Sequence, residues 1–202
     1  MATATVLREL RPREFLRDLE IPLAIYADAM DAAAATLPGR RDLMRRHTGY
    51  PGFRALHAQQ ASDGQVVGFA YGFHGQGGQW WYDAVWSALT HAVGRSLAAY
   101  WLADCLEVAE VHVDKRHQRS GVGTAMLLAL TSGRPEHTTV LSTPDRDSTA
   151  RRLYRRMGFT DLLTGYSFPG GSPPYALMGA VLPLREPASA TDWSLSASPS
   201  VS

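Results

Sequence analysis

The sequence predicts one globular domain with a mixed α/β fold, and three observations support this expectation. Segments with apolar residues at helical spacing alternate with short runs that favour strands, without a regular βαβ repeat. The chain has 202 residues, which suits one domain. Hydrophobic residues make up 45% and charged residues 19%, proportions typical of a globular protein. We therefore expect one domain over residues 1–184, followed by a flexible Ser-, Ala- and Pro-rich tail over 185–202.

The first half of the chain is expected to hold three strands and two helical segments. Strands are predicted at 3–10, 53–60 and 65–73, and helices at 12–30 and 40–47. A Ser-Asp-Gly sequence between the last two strands is typical of a hairpin. The arginines of the second helix are expected to form a solvated face.

The second half begins with an aromatic-rich helical insert at about 74–104, where aromatic and aliphatic residues recur at helical spacing. The next helix is apolar nearly all round, so it should be packed on most sides. The elements after the insert are predicted as a strand at 106–113, a helix at 121–132, a strand at 138–142, a helix at 148–157, and strands at 159–168 and 175–182.

Charge and cysteine content argue against several functional classes. A net charge of +1 gives no support for nucleic-acid or membrane-surface binding. No apolar run approaches the roughly 20 residues of a membrane span, and no signal-peptide pattern is present, so a cytoplasmic location is expected. The one cysteine, Cys105, cannot form an internal disulfide, and its apolar neighbours favour a buried thiol. Seven histidines without ligand spacing predict no metal site.

The most informative segment is a strand that runs into a glycine-containing turn and then a helix. The turn is Gln118-Arg119-Ser120-Gly121-Val122-Gly123-Thr124. Such a turn points free backbone N–H groups and the positive end of the helix dipole at one spot, which suits a phosphate or pyrophosphate. Gly121 and Gly123 allow close approach to the backbone. A purely structural turn is the alternative, because the P-loop and dinucleotide patterns are both absent.

A second stretch, from Asp147 to Phe159, strengthens this interpretation. Together, the two stretches resemble the GNAT acetyltransferase superfamily. Gln118 to Gly123 matches that family's Gln/Arg-x-x-Gly-x-Gly/Ala acetyl-CoA loop. Ala150 to Phe159 is similar to its Ala-x-x-Leu-Tyr-x-x-x-Gly-Phe helix and strand. The clear resemblance covers about residues 105–168.

The resemblance implies a central mixed, mostly antiparallel sheet, splayed between strands 4 and 5 and flanked by helices. It also implies acetyl-CoA as co-substrate, with the strand backbone holding the acetyl and pantetheine arm and the turn holding the pyrophosphate. The implied coenzyme-binding residues are Val111, His112, Val113, Gln118, Arg119, Ser120, Gly121, Val122, Gly123 and Thr124. Arg151 is a further candidate for the coenzyme phosphates, with a solvated helix face as the alternative.

The resemblance also implies the catalytic groups. Tyr154 matches the family's usual general acid, and a phenol can protonate a departing thiolate; a packed aromatic is the alternative. The amine must lose a proton, and Glu110 is the first candidate base, with Glu107 and His112 as other candidates. A carboxylate paired with an arginine is the competing interpretation of Glu110, and histidine is the residue type that titrates nearest neutral pH.

These features predict direct acetyl transfer from acetyl-CoA to a primary amine, since no nucleophile for an acyl-enzyme is evident. A small molecule is the expected acceptor, with a protein N-terminus or lysine as the alternative. A non-catalytic acyl-CoA-binding module and an interaction protein are competing functions. The aromatic insert departs from the family's usual short connection, and it is either a wall or lid over the acceptor, or a packed helix or homodimer contact.

Overall fold

A computed structural model describes residues 4–186 and the backbone of 195–196, which fall into two units. The described strands are β1 (Thr5–Leu10), β2 (Arg54–Gln60), β3 (Val66–Gly75), β4 (Cys105–Val113), β5 (Thr138–Pro144), β6 (Thr160–Tyr166), β7 (Tyr175–Val181) and β8 (Leu195–Ser196). The described α-helices are α1 (Pro12–Arg17), α2 (Glu20–Met30), α3 (Leu37–His47), α4 (Trp80–Val93), α5 (Arg95–Leu102), α6 (Val122–Thr131) and α7 (Thr149–Arg156). The first unit contains 4–73, 110–130 and 195–196, and the second contains 74–109 and 131–186.

Two predicted helical segments are each divided in the structure, and α3 begins at Leu37, three residues before the predicted start. The helix predicted at 12–30 is divided into α1 and α2. Pro22 lies in the first turn of α2, where backbone N–H groups have no intrahelical acceptor, so its missing N–H breaks no bond. The predicted insert forms α4 and α5, which are separated at Gly94, a residue with φ of 85°.

The first unit is built on antiparallel pairing of β1 with β2 and of β2 with β3. Most of the predicted tail lies outside the described residues, but the backbone of β8 pairs in parallel with β1. Phe15 of α1 packs edge-on against Tyr71 of β3, with ring centroids 5.4 Å apart. The fully buried side chains of this core include Leu7, Phe15, Leu56, Phe69, Tyr71 and Met126. Met126 comes from α6, the helix predicted to pack on most sides.

The second unit has the strand order β6–β7–β5–β4. β6 pairs with β7 and β7 with β5 in antiparallel fashion, while β4 pairs with β5 in parallel. The parallel pairing starts at Cys105 with Thr138 and ends at Glu107 with Val140. The predicted mixed, mostly antiparallel fold with a splay between strands 4 and 5 is therefore confirmed.

The aromatic insert packs on the core of the second unit. Trp81 donates a hydrogen bond from Nε1 to Oγ of Ser142 at 3.1 Å, while Trp80 is 57% exposed and lies against Phe168. The core side chains that the insert contributes are Tyr82, Val85, Leu89, Ala98 and Leu102.

No helix in the described part of the chain has the length and apolarity needed to cross a membrane.

Candidate functional site

The turn between β4 and α6 presents its backbone to solvent. Arg119 and Gly121 have φ values of 63° and 89°, and the left-handed region is uncommon for a residue other than glycine. The N–H of Ala125 donates to the carbonyl of Gly121 at 3.0 Å, so the N–H groups that precede Ala125 have no acceptor within the helix. These N–H groups and the helix dipole make the turn suitable for an anion.

Side chains on both sides hold this turn in place. Nε2 of Gln118 donates to the carbonyl of Val113 at 3.1 Å. The N–H of Lys115 donates to the Asp28 carboxylate at 3.0 Å, and its ammonium contacts Asp31. Lys115 is the only lysine in the sequence. Because Asp28 lies in α2 and Asp31 directly follows it, the end of that helix helps to fix the turn.

Glu110 lies at the centre of a buried polar cluster in the first unit. Its side chain is only 7% exposed, and one carboxylate oxygen accepts a hydrogen bond from Nη1 of Arg40 at 2.6 Å. Its other oxygen is hydrogen-bonded to Nε2 of His112. Nη2 of Arg40 donates to the Tyr26 hydroxyl at 2.9 Å, and the guanidinium lies 4.4 Å from the centre of that ring. The cluster therefore joins α2, α3 and β4.

The partners of Glu110 decide its protonation state. Burial raises the pKa of Glu110, but the hydrogen bond with His112, the charge of His112 when it is protonated, and the guanidinium of Arg40 outweigh burial, so the pKa is lowered. Glu110 is therefore a carboxylate at neutral pH with both oxygens engaged, as in the interpretation that competes with its role as a base. Nδ1 of His112 has no hydrogen-bond partner within residues 4–186, so it is the nitrogen of the pair that is open to a proton.

Arg40 and Tyr26 belong to the cluster around Glu110, and the sequence analysis predicted neither of them as a site residue. The expectation that the α3 arginines form a solvated face is wrong for Arg40, whose guanidinium bonds to Glu110. Met44 and His47 on the same helix are buried. Arg40 precedes them at i, i+4 and i+7 spacing, so helix periodicity places it on the buried face. The sequence alone shows this spacing, so it could have predicted that Arg40 lies on the buried face of the helix.

Tyr154 is carried by α7 in the second unit. Oγ of Ser148 accepts the hydrogen bond from the N–H of Arg151 at 3.1 Å and so caps the start of the helix. At the other end, Gly158 has φ of 97°, and the N–H of Phe159 returns to the carbonyl of Tyr154 at 3.0 Å. The Tyr154 side chain is mostly buried, with its ring 5.6 Å from that of Phe159. Both ends of the helix are therefore fixed by local structure.

Arg151 is buried, and both Nη atoms of its guanidinium are engaged in ion pairs, whereas its buried Nε has no hydrogen-bond partner. Its Nη1 contacts the Asp145 carboxylate, and its Nη2 donates to Asp161 at 3.0 Å. Asp161 also accepts from Nη2 of Arg155 at 2.7 Å. Burial raises the pKa of Asp161, but the hydrogen bonds from these two arginines outweigh burial and lower it. Contact between Arg151 and coenzyme phosphates stays a prediction.

Two further candidates from the sequence lie in the interior of the second unit. Cys105 is fully buried, and burial raises the pKa of its thiol, so it is not a thiolate at neutral pH. Glu107, the alternative base, is 4% exposed. Across residues 4–186, no group of three or more His, Cys, Asp or Glu side chains is arranged to hold a metal ion.

Comparison with known proteins links this geometry to one family. Residues 56–161 match the family model described as an acetyltransferase (GNAT) domain. A GCN5-like protein acetyltransferase of Mycobacterium tuberculosis is 32% identical over 90% of this chain and 100% of its own length.

Solved structures share the fold at low sequence identity. A GNAT-family acetyltransferase from Desulfovibrio desulfuricans has a TM-score of 0.61 and 14% identity, covering 88% of this chain and 99% of that chain. Ard1 from Thermoplasma volcanium has a TM-score of 0.60 and 20% identity, covering 88% and 97%. NAA60 of Arabidopsis thaliana, solved in complex with a bisubstrate analogue, has a TM-score of 0.59 and 17% identity, covering 88% and 98%. These similarities concern the fold.

Proposed function

The chain belongs to the GNAT acetyltransferase family, and we propose from this membership that it transfers the acetyl group of acetyl-CoA directly to a primary amine. It is an acyltransferase, and members of this family use acetyl-CoA as co-substrate. The observation that carries the proposal is the turn at Gln118–Thr124. This turn matches the family's coenzyme loop, and its left-handed Arg119 and Gly121 lie directly before the start of α6, whose first N–H groups have no acceptor within the helix.

Two backbone segments of the first unit are assigned to the coenzyme. The N–H groups of the turn hold the pyrophosphate, since they meet the positive end of the α6 dipole there. The backbone of Val111, His112 and Val113 on β4 holds the acetyl and pantetheine arm, as in the family. Because these contacts come from the backbone, the side chains of Gln118 and Lys115 contribute by fixing the turn, through the carbonyl of Val113 and the carboxylate of Asp31 respectively.

The reaction needs an acid, a base and a donor to the oxyanion. The neutral amine attacks the thioester carbon, and a β4 N–H stabilises the oxyanion that forms. The C–S bond then breaks, and the Tyr154 hydroxyl donates its proton to the departing thiolate. An ammonium acceptor and acetyl-CoA thus give an N-acetyl amine, free coenzyme A and one released proton.

The base is assigned to Glu110 acting with His112. The Arg40 guanidinium keeps Glu110 ionised, so the carboxylate can hold His112 and stabilise the imidazolium that forms. The open Nδ1 of His112 takes the proton of the acceptor, directly or through water. This arrangement keeps Glu110 in the catalytic machinery although both of its oxygens are engaged.

The acceptor is proposed to be a small-molecule primary amine, as the sequence analysis predicts. A lysine or N-terminal amine of a protein is the second candidate, because the Mycobacterium tuberculosis relative is named a protein acetyltransferase. A thiol-release assay with small amines, and with peptides whose N-terminus or lysine is blocked, distinguishes the two. Turnover with peptides alone would contradict the small-molecule proposal.

Calorimetric titration with acetyl-CoA tests the coenzyme site. Gly123→Glu places bulk and negative charge where the pyrophosphate is expected, so binding should be lost. Gly39→Glu is the matched control, because a side chain at Gly39 meets nothing within 4 Å. Unchanged affinity in the Gly123→Glu protein would overturn the assignment of the turn.

A further inference from the structure

We infer that Arg151 is a positioning residue, which fixes α7 and with it Tyr154 through Asp145 and Asp161. The inference deepens the proposed function, since it rests on Tyr154 acting as the acid. It also replaces the coenzyme contact that the sequence suggested for Arg151 with a role inside the second unit.

The contacts of Arg151 reach three segments of the chain. Nη1 bonds to Asp145, which directly follows β5, and Nη2 bonds to Asp161 in β6. Its own N–H is the one that Ser148 caps at the start of α7. One side chain, which is only 9% exposed, therefore ties the helix to the end of one strand and the start of another.

Each carboxylate uses its second oxygen to extend this connection. The second oxygen of Asp145 accepts from the N–H of Gly165 at 2.7 Å, and Gly165 has φ of 67°. This residue lies where the register of β6 against β7 shifts. The second oxygen of Asp161 accepts from Arg155, one helical turn after Arg151. The two aspartates thus hold both the irregular strand and a second point on α7.

Tyr154 depends on this connection because of its place on the helix. It follows Arg151 by three residues, so the two side chains lie on neighbouring positions of one face. With only eight residues, α7 is too short to be stable by itself and takes its orientation from tertiary contacts. A rotation of the helix after loss of the guanidinium would move the Tyr154 hydroxyl directly.

The charges explain why arginine is required at this position. The cluster contains the carboxylates of Asp145 and Asp161 and the guanidinium groups of Arg151 and Arg155, so it is neutral. Without Arg151, the two aspartates are left with one cation, and Asp145 loses its charged partner. A planar guanidinium can serve both carboxylates at once, whereas a lysine ammonium is a compact charge.

Steady-state kinetics of Arg151→Met, with Arg152→Met as the control, test the inference. Arg152 lies on the same helix but forms an exposed pair with Asp147 at 2.6 Å. We expect Arg151→Met to lower kcat by about tenfold or more, with the acetyl-CoA Kd changed by less than about twofold. Arg151→Lys should recover part of kcat. A large rise in Kd with unchanged kcat would overturn the inference in favour of a coenzyme contact.

A double-variant cycle with Tyr154→Phe tests whether Arg151 acts through the tyrosine. If it does, Arg151→Met has little further effect on kcat in the Tyr154→Phe protein, whereas independent effects that multiply would contradict the inference. Asp145→Asn is a milder variant for the same cycle if Arg151→Met does not fold.

The NMR signals of the Tyr154 ring, which are assigned with the Tyr154→Phe variant, give a second readout. They should shift in Arg151→Lys, and unchanged signals would contradict the inference. The NMR readout needs no turnover. A wild-type protein that proves inactive would therefore count against the proposed function, and not against the positioning role of Arg151.

Discussion

Nη1 of Arg40 lies 2.6 Å from a carboxylate oxygen of Glu110, although the two residues are 70 positions apart in the sequence. The contact links α3 to β4 and supplies a full positive charge to a buried carboxylate. Burial of an unpaired carboxylate is costly, and such a group usually becomes protonated instead. The state of the proposed base therefore depends on a helix that the coenzyme motifs do not include.

Replacement of Arg40 should destabilise the protein and reduce its activity. Arg40→Met leaves Glu110 buried without its cation, which should lower the free energy of unfolding by about 3 kcal/mol. Chemical denaturation at pH 7 measures this loss. Arg45→Met, on the exposed face of the same helix, is the control and should change the free energy by less than about 0.5 kcal/mol. Equal stability of the two variants would show that the ion pair is not important for folding.

The Glu110–His112 pair predicts that turnover depends on both of these side chains. His112→Gln removes the proton acceptor but keeps a side chain that can bond to Glu110, so kcat should fall by roughly 10²-fold while acetyl-CoA affinity is kept. If Glu110 alone is the base, His112→Gln keeps kcat near the wild-type value, and only Glu110→Gln lowers it.

The sequence was sufficient to predict the strand–turn–helix geometry around Gln118–Thr124 and the bounds of α7, because both rest on local patterns. A strand, a glycine-containing turn and a helix are adjacent in the chain, so their backbone geometry follows from neighbouring residues. Ser148 and Gly158 likewise lie next to the helix that they begin and end. The order of strands and helices followed from apolar spacing, except that two predicted helical segments are each divided into two helices and β8 was not predicted.

The partners of Glu110 and Arg151 were not predictable in the same way. Arg40 comes from a helix 70 positions away, and its role depends on which face of α3 is buried. Asp145 and Asp161 flank α7, but a run of arginines gives no indication of which one is buried between them. Long-range ion pairs are fixed by tertiary packing, whereas propensity and motif spacing describe only local structure.

Two buried histidines predict a loss of stability in mild acid. Burial lowers the pKa of His47 and of His57 to about 4, against the opposing charges of Glu110 and Asp18 respectively. Since the unfolded chain titrates near 6.5, it binds more protons below that pH, and stability falls as the pH decreases from 6.5 towards 4. Each histidine accounts for up to about 3 kcal/mol at the acid end of this range.

Denaturation between pH 7.5 and 4.5 measures this effect. His57→Phe should reduce the slope of the unfolding free energy with pH, because one of the two groups no longer titrates. The unfolding free energy of His57→Phe at pH 7.5, compared with that of wild type, measures the effect of the substitution on packing. A wild-type unfolding free energy that stays constant from pH 7 to 4.5 would contradict the assignment of both histidines as neutral core residues.

The packing of the aromatic insert can be tested at Gly179 in β7. A Cβ at this position would lie 2.8 Å from Cε3 of Trp101 and 2.9 Å from Cδ1 of Leu162, so one of them must move. Gly179→Ala should therefore lower the free energy of unfolding by about 1–3 kcal/mol.

Gly39→Ala is a control that should change stability in the opposite direction. Gly39 lies in α3 with open space around it, and alanine favours the helix by about 0.5 kcal/mol. Destabilisation of Gly179→Ala without ligands is the result expected if Trp101 of α5 and Leu162 of β6 both pack on β7 permanently. A Gly179→Ala protein as stable as wild type would contradict this packing.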